Sequence, residues 1–403
     1  MSSRIVVHRR EAEEIKRIGG WILLFGRRKV GKTYLIRNFL DYDHYFYVRV
    51  DGAISSEDGD YIYNDLEKFA KDIKKLLKGE ERVVIDEFQR LPEWVIEEIS
   101  RVHPHGKLIL SGSSMRIVSR VISRKSPLLG ILYPYRLGLI NPLDILNTLK
   151  EYVSMEDAVE LAPYFRDPWT IPLFTDKDGY FRNLFSIIQY AVPGLIGEIF
   201  TAEEREITKT YESLLALLGE GISDYREIAR ILFARNIIKK PESSMVLPYI
   251  KNLEGMGLVE KIKIYGKKRY LYRLISEEMN MYYYLDSKYD FSRNPSYEEV
   301  MPTIEKLKTF AVENFIGDLF AEILRGKKEV LKTAEREIDF IITVRNKPII
   351  VGEVKWGKLT KKDVEKFLSK SEDFYCRKII FTKKKRNFDG VEILEADDLD
   401  KFF

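Results

Sequence analysis

Hydrophobic and polar positions follow two rhythms along this chain. Between residue 4 and about residue 141, short apolar runs at 21–25, 45–50, 82–85 and 107–110 alternate with longer amphipathic stretches. Buried strands separated by helices predict an α/β fold with a parallel sheet. Residues 142–204 read as mostly helical, interrupted by Pro163, Pro168, Pro172 and Pro193. From 206 to 275 come three helical patterns and two short strands, 258–265 and 269–275, joined at Gly266, Lys267 and Lys268, the order of a winged helix-turn-helix. A polar stretch at 286–296 precedes a helix at 304–324 and strands at 338–344 and 348–355, which predicts a second, smaller α/β domain. The expected division is a core at 1–140, a helical lid at 141–205, a winged helix at 206–280, a linker at 281–303 and a closing domain at 304–403.

Length and composition sharpen this. A chain of 403 residues exceeds one ordinary core, since domains run to roughly 100–200 residues. Its 67 basic and 63 acidic residues nearly cancel, so a nucleic-acid surface would have to be a local patch. The single cysteine, Cys376, excludes an internal disulfide. No apolar run approaches the roughly 20 residues that span a bilayer, and no signal peptide precedes the first strand, so a cytoplasmic protein without a membrane partner is expected. Glutamine occurs only at Gln89 and Gln189 amid abundant Lys, Arg and Glu, a composition heat-adapted proteins favour.

The strand at 21–25 runs into Gly26-Arg27-Arg28-Lys29-Val30-Gly31-Lys32-Thr33 and then an apolar-periodic helix. Strand, glycine-rich loop and helix in that order form a phosphate-binding loop. Backbone N–H groups would wrap the phosphates of ATP, Lys32 would reach the β and γ phosphates, and Thr33 would offer its hydroxyl to Mg2+. The strand at 82–85 leads into Asp86 and Glu87, where Asp86 would hold the metal and Glu87 would act as general base. A further strand, 107–110, ends in Ser111-Gly112-Ser113-Ser114, and Ser111 or Ser113 is placed to sense the γ phosphate.

These motifs, with His8-Arg9-Arg10-Glu11, Val84 to Phe88 and Ser126-Pro127-Leu128-Leu129-Gly130, make the chain resemble the archaeal ATPases of the STAND-like, AAA+-related branch of P-loop enzymes. The resemblance spans the whole chain. It implies an ATPase domain, a winged helix and a C-terminal nuclease-like domain. One position departs: Ile131 stands where relatives commonly carry an arginine, so that either Arg124 or Arg136 takes its place or turnover is slow.

In the expected winged helix, Ile228, Ile231, Ile250 and Leu253 face inward, and Ser243, Ser244 and Lys251 would lie on the reading helix. The hairpin carries Lys263, Lys267, Lys268 and Arg269, suited to the phosphates of DNA. Docking of a protein partner is the alternative use of such a module. Pro248 suggests that the second helix begins after residue 243.

Near the C-terminus, adjacent strands would bring Asp339 beside Glu353, with Glu353 and Lys355 on one side of their strand. Two carboxylates and an ammonium suit metal-dependent phosphodiester cleavage, the acids holding Mg2+ or Mn2+. The spacing resembles the restriction-endonuclease-like PD-(D/E)XK superfamily, which implies Glu313 on the preceding helix as a further metal-binding acid. The usual proline before the aspartate is Ile338 here. A fold that has lost cleavage, or a nucleotide-regulated switch or transcription regulator, is the alternative. Lys383, Lys384, Lys385 and Arg386 were candidates for a phosphate-binding edge, whereas His103, His105, Cys376 and Tyr282 to Tyr284 read as turn and packing residues.

Overall fold

The computed structural model describes residues 5–57, 59, 61–113, 121, 126, 128–203, 205–333 and 335–402. The expected Ser114, Arg124 and Pro127 lie outside them. The N-terminal part is built on strands β1 (Trp21–Phe25), β2 (His44–Val48), β3 (Ile54–Ser56), β4 (Ile62–Tyr63), β5 (Arg82–Asp86), β6 (Lys107–Gly112) and β7 (Leu132–Arg136). Their order is β4-β3-β2-β5-β6-β1-β7. The five strands from β2 to β7 in that order are parallel. The antiparallel additions β3 and β4 were not expected, because Ile54–Ser56 and Ile62–Tyr63 are too short and polar to stand out.

β1 shows why a continuous apolar run makes a central strand. Trp21, Leu23 and Phe25 pack into one cluster with helices α3 (Leu66–Lys78) and α4 (Glu93–Ser100). Ile22 and Leu24 pack into another with α1 (Arg10–Lys16) and α2 (Lys32–Phe39). Alternate side chains point to opposite faces, and both faces are covered. β6 lies between β1 and β5, so the ends of the loop-bearing and acid-bearing strands flank it.

Beyond β7 come α5 (Pro142–Leu149), α6 (Met155–Phe165), a 3-10 segment (Pro168–Leu173) and α7 (Lys177–Ala202). Pro168 and Pro172 interrupt helix as expected, but Pro163 sits inside α6 and Pro193 inside α7 without ending either. A buried stripe including Tyr180, Leu184, Ile188, Val192, Leu195 and Ile199 holds the helix straight through. α7 is, by length and composition, apolar enough to cross a membrane, which corrects the expectation that no segment is. That stripe is packed into the protein core.

Helices α8 (Lys209–Gly219), α9 (Tyr225–Ala234) and α10 (Leu247–Gly255) precede the hairpin β8 (Val259–Ile264) and β9 (Tyr270–Leu274). α10 begins at Leu247 with Pro248 in its first turn, after a 3-10 turn at Ser243–Met245. Residues 281–303, read as a linker, are mostly helical: they fall in α11 (Glu277–Tyr289), a 3-10 turn (Phe291–Arg293) and the start of α12 (Tyr297–Ile323). The rest is β10 (Lys327–Lys332), β11 (Glu337–Val344), β12 (Lys347–Lys355), α13 (Lys361–Lys370), β13 (Arg377–Thr382) and β14 (Glu392–Leu394).

The hairpin is not separate from the closing sheet. Glu329 and Val330 of β10 pair in parallel with Lys263 and Ile264 of β8, giving one sheet in the order β14-β13-β12-β11-β10-β8-β9. A single apolar cluster runs from Ile140 through α5 to α12 and into β11, β12 and β13.

Candidate functional site

Gly26, directly after β1, passes so close to the next segment that a Cβ there would lie 2.1 Å from the Leu137 carbonyl oxygen. Lys29 and Gly31 take left-handed φ angles of 66° and 89°, the kind of turn that can gather backbone N–H groups into an anion-binding concavity. Arg9 braces the loop: its Nη1 donates to the Val30 carbonyl at 2.8 Å and its Nη2 to the Gly138 carbonyl at 3.1 Å, while Glu11 pairs with it at 2.7 Å. The Arg-Glu motif before β1 thus shapes the loop.

Lys32 is buried, and its Nζ donates to the Gly26 and Arg27 carbonyls at 2.9 and 3.1 Å. Burial pulls the ammonium down to about 8, against the pull of Glu87 and Asp86. Thr33 Oγ1 donates to Asp86 Oδ2 at 2.7 Å. The Tyr45 hydroxyl donates to the same oxygen at 2.7 Å, and the Glu87 N–H donates to Asp86 Oδ1 at 3.0 Å. Tyr45, pushed well up by burial and by Asp86, remains a donor. Sequence reading missed it, because only the pairing of β2 with β5 brings it to Asp86.

Glu87 itself has a left-handed φ of 58°. Gln89 Nε2 donates to Glu87 Oε2 at 2.6 Å and to Ser113 Oγ at 3.1 Å, and Arg90 Nη2 lies 3.4 Å from the same Glu87 oxygen. Of the two serines considered, Ser113 therefore joins the acid, whereas the Ser111 hydroxyl is fully buried without a partner among the described residues. The other loop arginines turn to the helical segment. Arg27 Nη2 donates to buried Asp167 at 2.5 Å, and Arg28 pairs with Glu198 of α7 at 2.8 Å. Neither is free for phosphate in this state, while Lys29 stays exposed.

Residues 19–129 match a family model described as an AAA domain. The matched segment takes in the loop, both acids and Ser113. No curated protein matches the chain in sequence. Among solved structures, the chain is similar to the Aeropyrum pernix ORC2 protein in its ADPNP-ADP complexes, at 14% identity and a TM-score of 0.39, over 69% of this chain and 94% of that one. The A. pernix ORC1 protein in complex with DNA gives 13% identity and a TM-score of 0.30, over 73% and 96%. A STAND protein with a tetratricopeptide repeat sensor from Pyrococcus horikoshii gives 15% and 0.30, over 80% of this chain and 50% of that one.

The arrangement fits ATP with Mg2+. The loop offers a glycine at 26 whose close pass to the Leu137 carbonyl excludes a side chain, a buried ammonium that among the described residues donates to two loop carbonyls, and a hydroxyl–carboxylate pair, Thr33 and Asp86, at the metal's expected place. Ile131 is half-buried, and Arg136 is exposed beside a cavity of about 290 Å³ between the loop and the β8–β9 region, lined also by Arg27, Gly257 and Lys261.

The C-terminal acids form a second group. Asp339 on β11 accepts from the Val354 N–H at 2.8 Å, and Lys355 Nζ pairs with Glu353 Oε1 at 2.7 Å. Burial, then the neighbouring Asp339, pushes Glu313 up to about 8. Asp339 rises to about 6 through burial, opposed by the Val354 N–H and reinforced by Glu353. Burial works against the Lys355 ammonium, but its pairing with Glu353 wins and raises it. Glu313 and Asp339 line a cleft of about 520 Å³ that also holds Arg273, Tyr284, Lys306 and Phe310.

Among the described residues, however, no three His, Cys, Asp or Glu side chains are set to hold one metal ion. The expected set of Glu313, Asp339 and Glu353 is therefore not preformed. Glu353 is spent on Lys355 and Lys370, the latter at 3.5 Å. The basic candidates are also partly committed: Lys263 pairs with Glu329, Arg269 with Asp224, Lys383 with Glu156 and Glu160, and Lys385 with Asp398. Among the described residues, Lys251, Lys267, Lys268, Lys384 and Arg386 are not drawn into such pairs.

Proposed function

We propose that the chain is an ATP-hydrolysing, DNA-associated protein in which nucleotide bound to the AAA domain controls a winged helix and a metal-dependent nuclease-like C-terminal domain. The observation that carries the ATPase part is the Thr33–Asp86 hydrogen bond joining the loop helix to β5, with Lys32 buried beside it. Mg2+, when bound there, would supply positive charge to offset that of the phosphates. Lys32 would trade its two loop carbonyls for the β and γ phosphates, and Thr33 and Asp86 would hold the ion. Glu87 accepts the proton of the attacking water, and Ser113 donates to the γ phosphate.

Coupling to the rest of the chain is supported by Arg27 and Arg28, the loop arginines bound to Asp167 and Glu198. The order α9, α10, β8, β9 and the exposed Lys251, Lys267 and Lys268 support a winged helix that contacts phosphates. Glu313, Asp339, Glu353 and Lys355 would supply the nuclease-like chemistry, the acids holding Mg2+ or Mn2+ and the lysine steadying developing charge. A second reading, a nucleotide-regulated switch without cleavage, is favoured by the ion-paired Glu353 and by the β8–β10 pairing that fixes the hairpin to the closing sheet.

The test is phosphate release from ATP and cleavage of linear and supercoiled DNA with Mg2+ or Mn2+, comparing wild type with Lys32→Ala and Asp339→Ala. The proposal expects Lys32→Ala to abolish phosphate release and Asp339→Ala to abolish cleavage. No Mg2+-dependent phosphate release by wild type overturns the ATPase reading, and intact ATPase without cleavage gives the switch reading the lead.

A further inference from the structure

We infer that Gln89 is a positioning residue that couples Ser113, at the end of β6, to Glu87. The inference rests on the ATPase reading and concerns how that site is regulated. Gln89 lies in the 3-10 turn Phe88–Arg90 immediately after the acid. Its Nε2 donates to Glu87 Oε2 at 2.6 Å and to Ser113 Oγ at 3.1 Å. An ionised carboxylate only accepts, so the amide nitrogen and not the oxygen must face Glu87. Both protons of Nε2 are thereby committed.

The amide oxygen packs closely in this pose. Gln89 Oε1 is buried without a hydrogen-bond partner among the described residues. It lies over Gly112, where an added Cβ would come within 2.6 Å of Oε1 and 2.8 Å of Phe88 Cε1. Only glycine at 112 admits the amide here. A buried amide oxygen left unpaired costs free energy, and the two bonds that Nε2 donates are what offset that cost in this pose.

The consequence for Glu87 follows from its geometry. Its backbone is fixed at a φ of 58°, with its N–H on Asp86. Gln89 and Arg90 both address Oε2, which leaves Oε1 to accept the proton of the attacking water. Ser113 Oγ accepts from Gln89, so its own proton is directed elsewhere, to a γ-phosphate oxygen in the ATPase reading. A hydroxyl that donates to an anion becomes a stronger acceptor. Occupancy by γ phosphate thus tightens the Ser113–Gln89 bond and fixes the carboxylate next to it.

The experiment is steady-state ATP hydrolysis with Mg2+ by wild type, Gln89→Ala, Gln89→Glu, Gly112→Ala, Ser113→Ala and the Ser113→Ala/Gln89→Ala pair, each checked for folding by thermal melting. Gln89→Ala lowers kcat by roughly 10- to 100-fold with KM for ATP within about threefold, since the amide acts through Glu87 and not on the nucleotide. Gln89→Glu, which cannot donate to Glu87, follows Gln89→Ala. Gly112→Ala does the same by displacing the amide while keeping it. Ser113→Ala costs at least about fivefold less in the Gln89→Ala background than in wild type, because the path between them is already cut. A wild type that turns over with Gln89→Ala inside twofold of it, or a fully additive pair, overturns the coupling alone. A wild type without turnover removes the ATPase reading and this inference with it.

Discussion

Asp86 accepts from three donors: Thr33 and Tyr45 on one oxygen and the Glu87 N–H on the other. Tyr45→Phe keeps the buried ring and removes only the hydroxyl. It is expected to lower stability by about 0.5–1.5 kcal/mol, the usual worth of one such bond. Urea unfolding would check it, with the midpoint falling and the slope unchanged. A midpoint equal to wild type would mean that Asp86 is held by Thr33 and Glu87 alone. Lys32, Thr33, Asp86 and Glu87 were legible in the sequence, because strand, loop, helix and a second strand ending in acids are local patterns. Tyr45 and Gln89 were not. Their roles depend on β2 lying beside β5 and on Gly112 leaving room for an amide, and neither is written in local spacing.

At the scale of elements, α7 shows where local rules give way to packing. Proline in a helix interior removes one backbone hydrogen bond and crowds the preceding turn, at about 3 kcal/mol relative to alanine. Pro193 was read as an interruption for that reason, yet the stripe from Tyr180 to Phe200 keeps its helical spacing across it and stays buried. Pro193 itself is exposed, so it contributes little packing to set against the lost bond. Pro193→Ala is therefore expected to raise stability, by about 1–3 kcal/mol. A thermal melt that shifts downward would show instead that the proline shapes the chain toward its neighbours. The same preference for burial over local signal explains residues 281–303. Their polar residues suggested a linker, but Met281, Leu285 and Val300 lie on helices packed into the core.

Across the whole molecule, the helices and strands after residue 140 were legible as elements but not as one body. Nothing in the local pattern announces that β10 pairs with β8, or that one carboxylate ties three segments together. Asp318 on α12 accepts from Arg166 after α6 at 2.9 Å, from Arg273 on β9 at 2.9 Å and from Lys328 on β10 at 3.0 Å. Burial opposes its charge, but Lys328, Arg273 and Arg166 outweigh that and hold the carboxyl well below the usual carboxylate range. Removing the charge leaves three cations around a mostly buried neutral group. Asp318→Asn is therefore expected to cost about 3–5 kcal/mol near neutral pH. Because the folded-state pKa is depressed, this contribution is fully present above the unfolded value of about 3.9 and is lost as pH falls through the lower folded value. The stability gap between wild type and Asp318→Asn, measured by urea unfolding, should stay flat from about pH 7 to 5 and close below about pH 4. A gap that widens on acidification would mean that Asp318 is protonated in the folded protein, and that α6, the hairpin and the closing sheet are joined by packing without this ionic tie.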